Sequence, residues 1–382
     1  MKSFSHPFAL CLLLLSAVPA AAETETDPPV PAPPQIEAKG YLLVDFNTGK
    51  ELASVAADER LEPASLTKIM TGYTIYRELK EGHVKLTDQV LISENAWRTG
   101  GSKMFVEVGK QVSMEDLLKG MIIQSGNDAS VALAEHVAGS EQTFADLMNT
   151  RAKELGMSNS HFLNATGLPD PDHYTTARDI ALVTAALIRE FPEYYAWDGT
   201  KEFEYNGIKQ QNRNRLLWRD PTVDGVKTGY TQNAGYCLVA SAKRDQMRLI
   251  SVVMGSKGPE ARAQASLELL NYGFRFYESH RLYAAAKPVE NLRVWMGDLQ
   301  DLPVGPARDV VATIPRGRYQ QLSARLDKAP DLTAPIARGA RVGDIVVNFK
   351  GEELVRVPLV ALQDVNEGSL WQKARDTVLQ WF

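Results

Sequence analysis

The sequence predicts an α/β (α+β) protein with an antiparallel sheet flanked by helices, followed by a small all-β domain and a C-terminal amphipathic helix. Three observations predict it. Strand-like runs lie far apart, at "KGYLLVDFNTGKELAS" and "AGYCLVASAKRDQMRLISVVMGS", with helical periodicity between them, so they have to join in one sheet that the helices cover. After about residue 284 the helical period gives way to short alternating runs and turns. The final "EGSLWQKARDTVLQWF" puts Trp371, Ala374, Val378 and Trp381 on one helical stripe, with Gln372, Lys373, Asp376 and Gln380 elsewhere.

Each element follows in order. "MKSFSHP", "FALCLLLLSAVPA" and "AAAE" have the charged, apolar and small-residue order of a secretory signal peptide, cut after Ala22. That apolar run is too short to span a bilayer. Cys11 lies inside it with no small residue before it, which argues against a lipid-modified cysteine, and the mature chain keeps Cys237 alone, a buried small hydrophobe. Residues 23–36 are acidic, then proline-rich: an extended spacer. Residues 37–284 form the first domain. It opens on a hairpin around Asn47-Thr48-Gly49 and continues in a helix from Pro63 to about Glu81, where Ile69, Met70, Tyr73, Tyr76 and Leu79 recur at helical steps. "SMEDLLKGMIIQSGNDASVALAEHVAGS" reads as two helical blocks broken near Ser125-Gly126. "TFADLMNTRAKELGM", "TARDIALVTAALIREFP" and "EARAQASLELLNYGFRFYESH" read as further helices, the last two on either side of the 235–256 hairpin. Residues 285–365 form the β-rich domain, and 366–382 the terminal helix, too short and polar to span a membrane but able to lie on its surface with the tryptophans buried, the alternative being a terminal helix docked on its own protein.

The net charge of −5, without a basic tract, gives no case for a nucleic-acid partner. Chemistry is concentrated elsewhere. In "PASLTK", Ser65 and Lys68 are one helical turn apart, so their side chains can meet. A lysine of lowered pKa can take the proton of a serine hydroxyl and make it a nucleophile. Alone the pattern is weak, because about one or two such pairs arise by chance in a chain this long. Ser125-Gly126-Asn127 sits at the break between two helical blocks, where side chains can enter a cleft. Lys227-Thr228-Gly229, in the strand "VDGVKTGYT", is expected by chance in only about one chain in ten. All three occur in the order S-x-x-K, S-x-N, K-T-G, on helix, loop and strand, which matches the motif set of serine acyl-transfer enzymes that react with β-lactams. None of the six histidines is needed, so a serine–histidine–acid triad is not the reading.

With these motifs, and with "IIQSGNDASVALAEHVAGS", "NRNRLLW", "LVASAKRDQMRLISVVMG", "VATIPRGR" and "LTAPIARGARVG", the chain closely resembles the low-molecular-mass penicillin-binding proteins of the D-alanyl-D-alanine carboxypeptidase type. The resemblance covers essentially the whole mature chain. It implies a penicillin-binding/β-lactamase-like domain that removes the terminal D-alanine of peptidoglycan stem pentapeptides and is acylated by β-lactams, with no cofactor and no metal. It implies that Ser65 attacks the carbonyl between the two D-alanines and Lys68 accepts its proton. Ser125 would relay a proton to the departing amine, helped by Lys68 and Lys227, while Asn127 hydrogen-bonds the peptide and fixes Lys68. Backbone N–H groups of Ser65 and Tyr230 would form the oxyanion hole. The strand at Lys227, Thr228 and Gly229 would receive the substrate as an added β-strand, Gly229 letting the substrate backbone approach. Lys227, Thr228, Thr231 and Arg213 would surround the terminal carboxylate. The resemblance also implies export to the periplasm, with the terminal helix attaching the protein peripherally to the inner membrane.

Two segments depart from the family pattern. "ENAWRTGGSKMF" is several residues shorter than the usual loop beside the site, and "GLPDPDHYTTARD" has a proline and shifted aspartates, so Asp170, Asp172 and His173 receive no role. Two alternatives are weighed against the carboxypeptidase. A β-lactamase needs a carboxylate for fast deacylation, and "FLNATGL" supplies no glutamate at the matching spacing. A catalytically silent wall-binding protein would have no need of an intact nucleophile, base and oxyanion strand.

Overall fold

The computed structural model describes residues 29–380; the predicted signal peptide with Cys11, the start of the spacer, Trp381 and Phe382 lie outside the described residues. Residues 29–31 carry no regular secondary structure. From Ala32 onward, the N-terminal hairpin and the 223–256 strands meet in a five-stranded antiparallel sheet, in the order Glu51–Val55, Gly40–Asp45, Met247–Ser256, Gly235–Arg244, Val223–Thr231. The closing register pairs Tyr41 with Val253 and Leu43 with Ser251, so the two strand-rich parts of the chain zip together as expected. All six residues of Gly40–Asp45 are buried, because helices cover both faces of the sheet. Val223–Thr231 is the edge strand, the one that carries the K-T-G motif.

The helix Thr67–Glu81 runs through the core: Ile69, Met70, Tyr73, Ile75 and Tyr76 are all buried, and Gly82 caps it in the left-handed region at φ 80°. The expected helical start at Pro63 needs one correction. Ala64–Leu66 is a single 3-10 turn ahead of the α-helix, and Ala64 takes a positive φ of 48°. Tertiary contact overrides the helical pattern there, because the turn is pressed between Gly167 and Gly229. The predicted break is present: Met114–Ile123 ends, Ser125 adopts φ 67°, and Asn127–Ala138 begins. Positive φ at Ala64 and Ser125 costs roughly 1–3 kcal/mol each, a cost typical of functional sites held by their surroundings. Helices Glu141–Glu154, Ala177–Glu190 and Pro259–Phe276 match the periodicity, but "YESH" does not continue the last of them. Tyr277–Tyr283 is instead a strand paired with Val310–Pro315. Ser279 from that strand donates to Asp45 Oδ2 at 2.6 Å, and Lys50 donates to the Thr313 carbonyl at 3.0 Å.

The β-rich part holds a six-stranded sheet, in the order Leu322–Lys328, Arg341–Phe349, Glu352–Ala361, Asp301–Pro306, Glu290–Trp295, Leu332–Thr333. Its own core gathers Val294, Val304, Ile345, Val347, Val357 and Leu359. The terminal helix Leu370–Leu379 opens on a capping box between Ser369 and Gln372. The sequence puts Asp376 on its polar side; the structure buries that side chain completely. Asp376 Oδ2 accepts from the Met296 N–H at 2.8 Å, and Oδ1 accepts from Arg293 at 3.3 Å. The helix therefore docks by a polar residue and leaves Leu370, Trp371, Val378 and Leu379 exposed, Trp371 at 82%. Among the described residues no helix is long and apolar enough to cross a membrane.

Candidate active site

The fold brings the three motifs to one cleft of about 470 Å3, lined by Ser65, Ser125, Asn127, Arg213, Thr228, Gly229, Tyr230 and Thr231 among others. Lys68 and Lys227 lie beneath its surface, 2% and 5% exposed. Lys227 reaches under Ser125.

Lys68 is held by three groups. Its Nζ donates to Asn127 Oδ1 at 2.7 Å and to the Thr166 carbonyl at 2.6 Å, and lies 3.2 Å from Ser65 Oγ. A neutral amine has two N–H bonds and one lone pair. Two acceptors take the N–H bonds, so the lone pair is left for the Ser65 hydroxyl. Burial first, and then the positive charges of Lys227 and Arg213, hold the Lys68 amine well below the usual lysine range, against the opposing pull of Asp128 and Glu141. Lys227 Nζ donates to Ser125 Oγ at 2.9 Å and to the Thr228 carbonyl at 3.1 Å. Burial, with Arg213 next, brings its pKa down to about 7. Two lysines thus flank the two serines as Ser65–Lys68 and Ser125–Lys227, both with amines that give up their proton far more readily than an ordinary lysine.

The scaffolding around these groups explains their placement. Asn127 Nδ2 donates to the Gly100 carbonyl and its N–H to the Ser102 carbonyl, both at 2.7 Å, which ties the loop around Gly100–Ser102 to the S-x-N motif. Gly167 has φ 83°, and a Cβ there would come within 1.8 Å of the Ala64 carbonyl oxygen, so only glycine lets Thr166 and the nucleophile turn close on Lys68. Gly229 packs against the nucleophile turn. A Cβ on it would lie 3.2 Å from the Ser65 N–H nitrogen, so the close approach it permits in this structure is to the Pro63–Ser65 turn. That contact places the Gly229–Tyr230 backbone beside the Ser65 amide. Tyr230 stacks on Tyr236 with ring centroids 4.2 Å apart. Thr231 Oγ1 donates to Glu62 at 3.3 Å and accepts from the Ala234 N–H at 3.0 Å. Buried Asn212 and Asn214 pin their loop, through the Thr200 and Gly225 carbonyls, and present Arg213 to the cleft between them.

Four contributors are not visible in the motifs. Thr166 supplies the carbonyl for Lys68. Glu141 Oε1 accepts the Ala165 N–H at 3.0 Å and so fixes the adjoining peptide. Asp128, next to Asn127, accepts the N–H groups of Met104 and Phe105 at 2.8 Å each and fastens the loop from below. Arg262 reaches the cleft from the helix Pro259–Phe276 and donates to the Gly229 carbonyl at 2.8 Å. Asp128 and Glu141 share a sequence signal, an acid in the first turn of a helix. His173, given no role by sequence, is buried with its pKa pushed down to about 4 by desolvation. Its Nδ1 accepts the Leu163 N–H, so neutral Nε2 donates to Thr67 Oγ1 at 2.9 Å, a packing contact behind the nucleophile turn.

A nucleophile, a buried base and a second serine–lysine pair on an edge strand are what acyl transfer through serine requires, and comparison with known proteins agrees. Residues 26–258 match the family model described as D-alanyl-D-alanine carboxypeptidase. The chain belongs to the D-alanyl-D-alanine carboxypeptidase family. Its activity is accordingly that of a serine D-alanyl-D-alanine carboxypeptidase, and it is a penicillin-binding protein. Residues 277–367 match the C-terminal domain of penicillin-binding protein 5. The carboxypeptidase DacC of Escherichia coli (strain K12) is 45% identical over 361 residues, covering 91% of this chain and 90% of its own. DacA from the same strain is 43% identical over 390 residues, with 100% and 96% covered. Among solved structures, penicillin-binding protein 5 from Haemophilus influenzae superposes with a TM-score of 0.82 at 42% identity, over 88% of this chain and 99% of that one.

Proposed function

We propose that this carboxypeptidase works through an acyl-enzyme on Ser65 and removes the terminal D-alanine from peptidoglycan stem pentapeptides. The observation that carries the reading is the Lys68 amine: buried, hydrogen-bonded to Asn127 Oδ1 and the Thr166 carbonyl, and 3.2 Å from Ser65 Oγ. Lys68 takes the Ser65 proton as Oγ adds to the penultimate D-alanyl carbonyl. The oxyanion forms between the N–H groups of Ser65 and Tyr230, donors that act at full strength in a dry site. Collapse of the adduct expels D-alanine, whose nitrogen receives its proton from Ser125, recharged by Lys227 and Lys68. Asn127 keeps Lys68 aligned and meets the bound peptide. Water then hydrolyses the ester. The substrate lies antiparallel to Thr228–Tyr230, on the free side of the edge strand, and its carboxylate faces Arg213, Thr228 and Thr231. Penicillin presents a strained amide and a carboxylate in the same arrangement, so it acylates the same serine. In the intact protein treated with penicillin, mass spectrometry should find one adduct, located on the peptide containing Ser65 and missing from Ser65→Ala; an adduct elsewhere would overturn the assignment.

The protein acts in the periplasm, attached peripherally to the inner membrane. The order of charged, apolar and small residues at the N-terminus supports export. The exposed Leu370, Trp371, Val378 and Leu379 on the last helix suit burial in a lipid headgroup layer. Mature protein should sediment with phospholipid vesicles and lose that association when residues 367–382 are removed, with D-alanine release unchanged. Equal sedimentation of the two forms would contradict the anchor.

A further inference from the structure

The cleft does not end at Arg213. A groove of about 640 Å3 continues from it and shares Arg213 and Arg262 with the active site. Its other walls come from the short helix Leu216–Arg219, which together with the residue before it projects Arg215, Trp218 and Arg219 into one surface. Trp218 is 46% exposed and lines the groove, with the Lys201 ammonium 5.9 Å from its ring centroid. Four arginines line the groove, and two of them, Arg215 and Arg219, share one carboxylate. Glu260 receives Arg215 at 3.1 Å and Arg219 Nη2 at 2.7 Å, yet a single acid cannot neutralise both, and their side chains stay 53% and 35% exposed. Arg213 has no hydrogen-bond partner among the described residues, and Arg262 spends one nitrogen on the Gly229 and Cys237 carbonyls. The groove is therefore a positively charged extension of the cleft with an aromatic wall.

Its position says what it would meet. The terminal carboxylate of the substrate is assigned to Arg213, at the mouth of the groove, so whatever projects further belongs to the leaving residue. A D-alanine leaving group ends in a methyl and stops there. We propose that the groove is a leaving-group subsite for a D-amino acid whose side chain carries a second carboxylate, so that the protein also releases acidic residues joined through their amine to the penultimate D-alanine. This inference rests on the carboxypeptidase reading. The α-carboxylate stays on Arg213, the aliphatic part of the side chain lies along Trp218, and the distal carboxylate reaches Arg215 and Arg219 as charge-assisted pairs. The chemistry is unchanged. Ser65 Oγ bonds to the carbonyl carbon, the C–N bond breaks, the amine leaves with one proton, and water cleaves the ester to restore the serine.

The test compares three acyl-D-alanyl peptides that differ in their last residue: D-alanine, D-2-aminoadipate and D-lysine. For the wild-type protein, kcat/KM should favour aminoadipate over lysine by roughly fivefold or more, as expected for two partly exposed ion pairs, and the preference should shrink as salt is raised. In the double variant Arg215→Gln, Arg219→Gln the ratio should fall to about one or below, since Glu260 is then unpaired, while D-alanine release changes less than twofold. Equal wild-type rates for the two charged residues would overturn the proposal, as would a ratio that persists in the double variant with D-alanine release intact. If the wild-type protein fails to release D-alanine itself, the carboxypeptidase reading falls and the subsite falls with it, a result distinct from either.

Discussion

Lys68→Ala is expected to slow acylation by penicillin or peptide by about 10²–10⁴-fold, the usual worth of a positioned general base, while the protein stays folded. The amine has no substitute near it. Within its hydrogen-bond shell are an amide oxygen and a carbonyl, neither of which can take a proton from Ser65 Oγ. The fold should survive because Asn127 and the Thr166–Gly167 segment also border the open cleft, where water can satisfy the oxygens that lose their donor. The lowered pKa makes a second, sharper expectation. Acylation by the wild-type protein should stay fast well below the pH at which an ordinary lysine loses its proton, because burial and two neighbouring cations disfavour the protonated amine. The rate of adduct formation, followed by mass spectrometry over a range of pH, measures both. Acylation of Lys68→Ala at near wild-type speed would remove Lys68 from its role.

Lys227→Ala should cost about 10²–10³-fold in acylation, comparable to losing one preorganised electrostatic contact, and it should also move the pH profile. Lys227 is the largest charge holding Lys68 down after burial itself. Its removal makes protonation of Lys68 easier, so the Lys68 pKa rises and the neutral base appears only at higher pH. The acid limb of the profile should therefore shift to the alkaline side. A variant that loses rate with an unmoved profile would mean that Lys227 acts on Ser125 or substrate alone.

How much of this was legible in the sequence depends on whether the determinants are local. The nucleophile helix, the break at Ser125-Gly126 and the 235–256 hairpin follow from periodicity and turn residues, and the structure has them where expected. The meeting of Ser65, Ser125 and Lys227 was legible through motif order, since the spacing itself carries no distance. What escaped detection is what arises from packing between distant segments. The 3-10 turn at Ala64–Leu66 exists because Gly167 and Gly229 close on it from two sides. The Thr166 carbonyl and Arg262 act through a backbone atom or through reach across the fold, and no residue pattern announces such contacts. The start of the strand Tyr277–Tyr283, Tyr277–His280, reads as helix in the sequence because its apolar spacing continues that of the preceding helix, while its partner, Val310–Pro315, lies beyond the reach of any local window. Asp376 shows the converse: a charged residue on a polar stripe turned out to be the docking point, because Arg293 and the Met296 N–H wait for it on the β domain.

The central claim is that Ser65 carries the acyl group of a D-alanyl-D-alanine substrate, and one measurement addresses it directly. Mature protein, residues 23–382, is incubated with a stem pentapeptide ending in D-Ala-D-Ala, beside Ser65→Ala, and released D-alanine is counted. The account predicts one equivalent of D-alanine per peptide from the wild-type protein and none above background from the variant. Release that continues in a folded Ser65→Ala protein would contradict it.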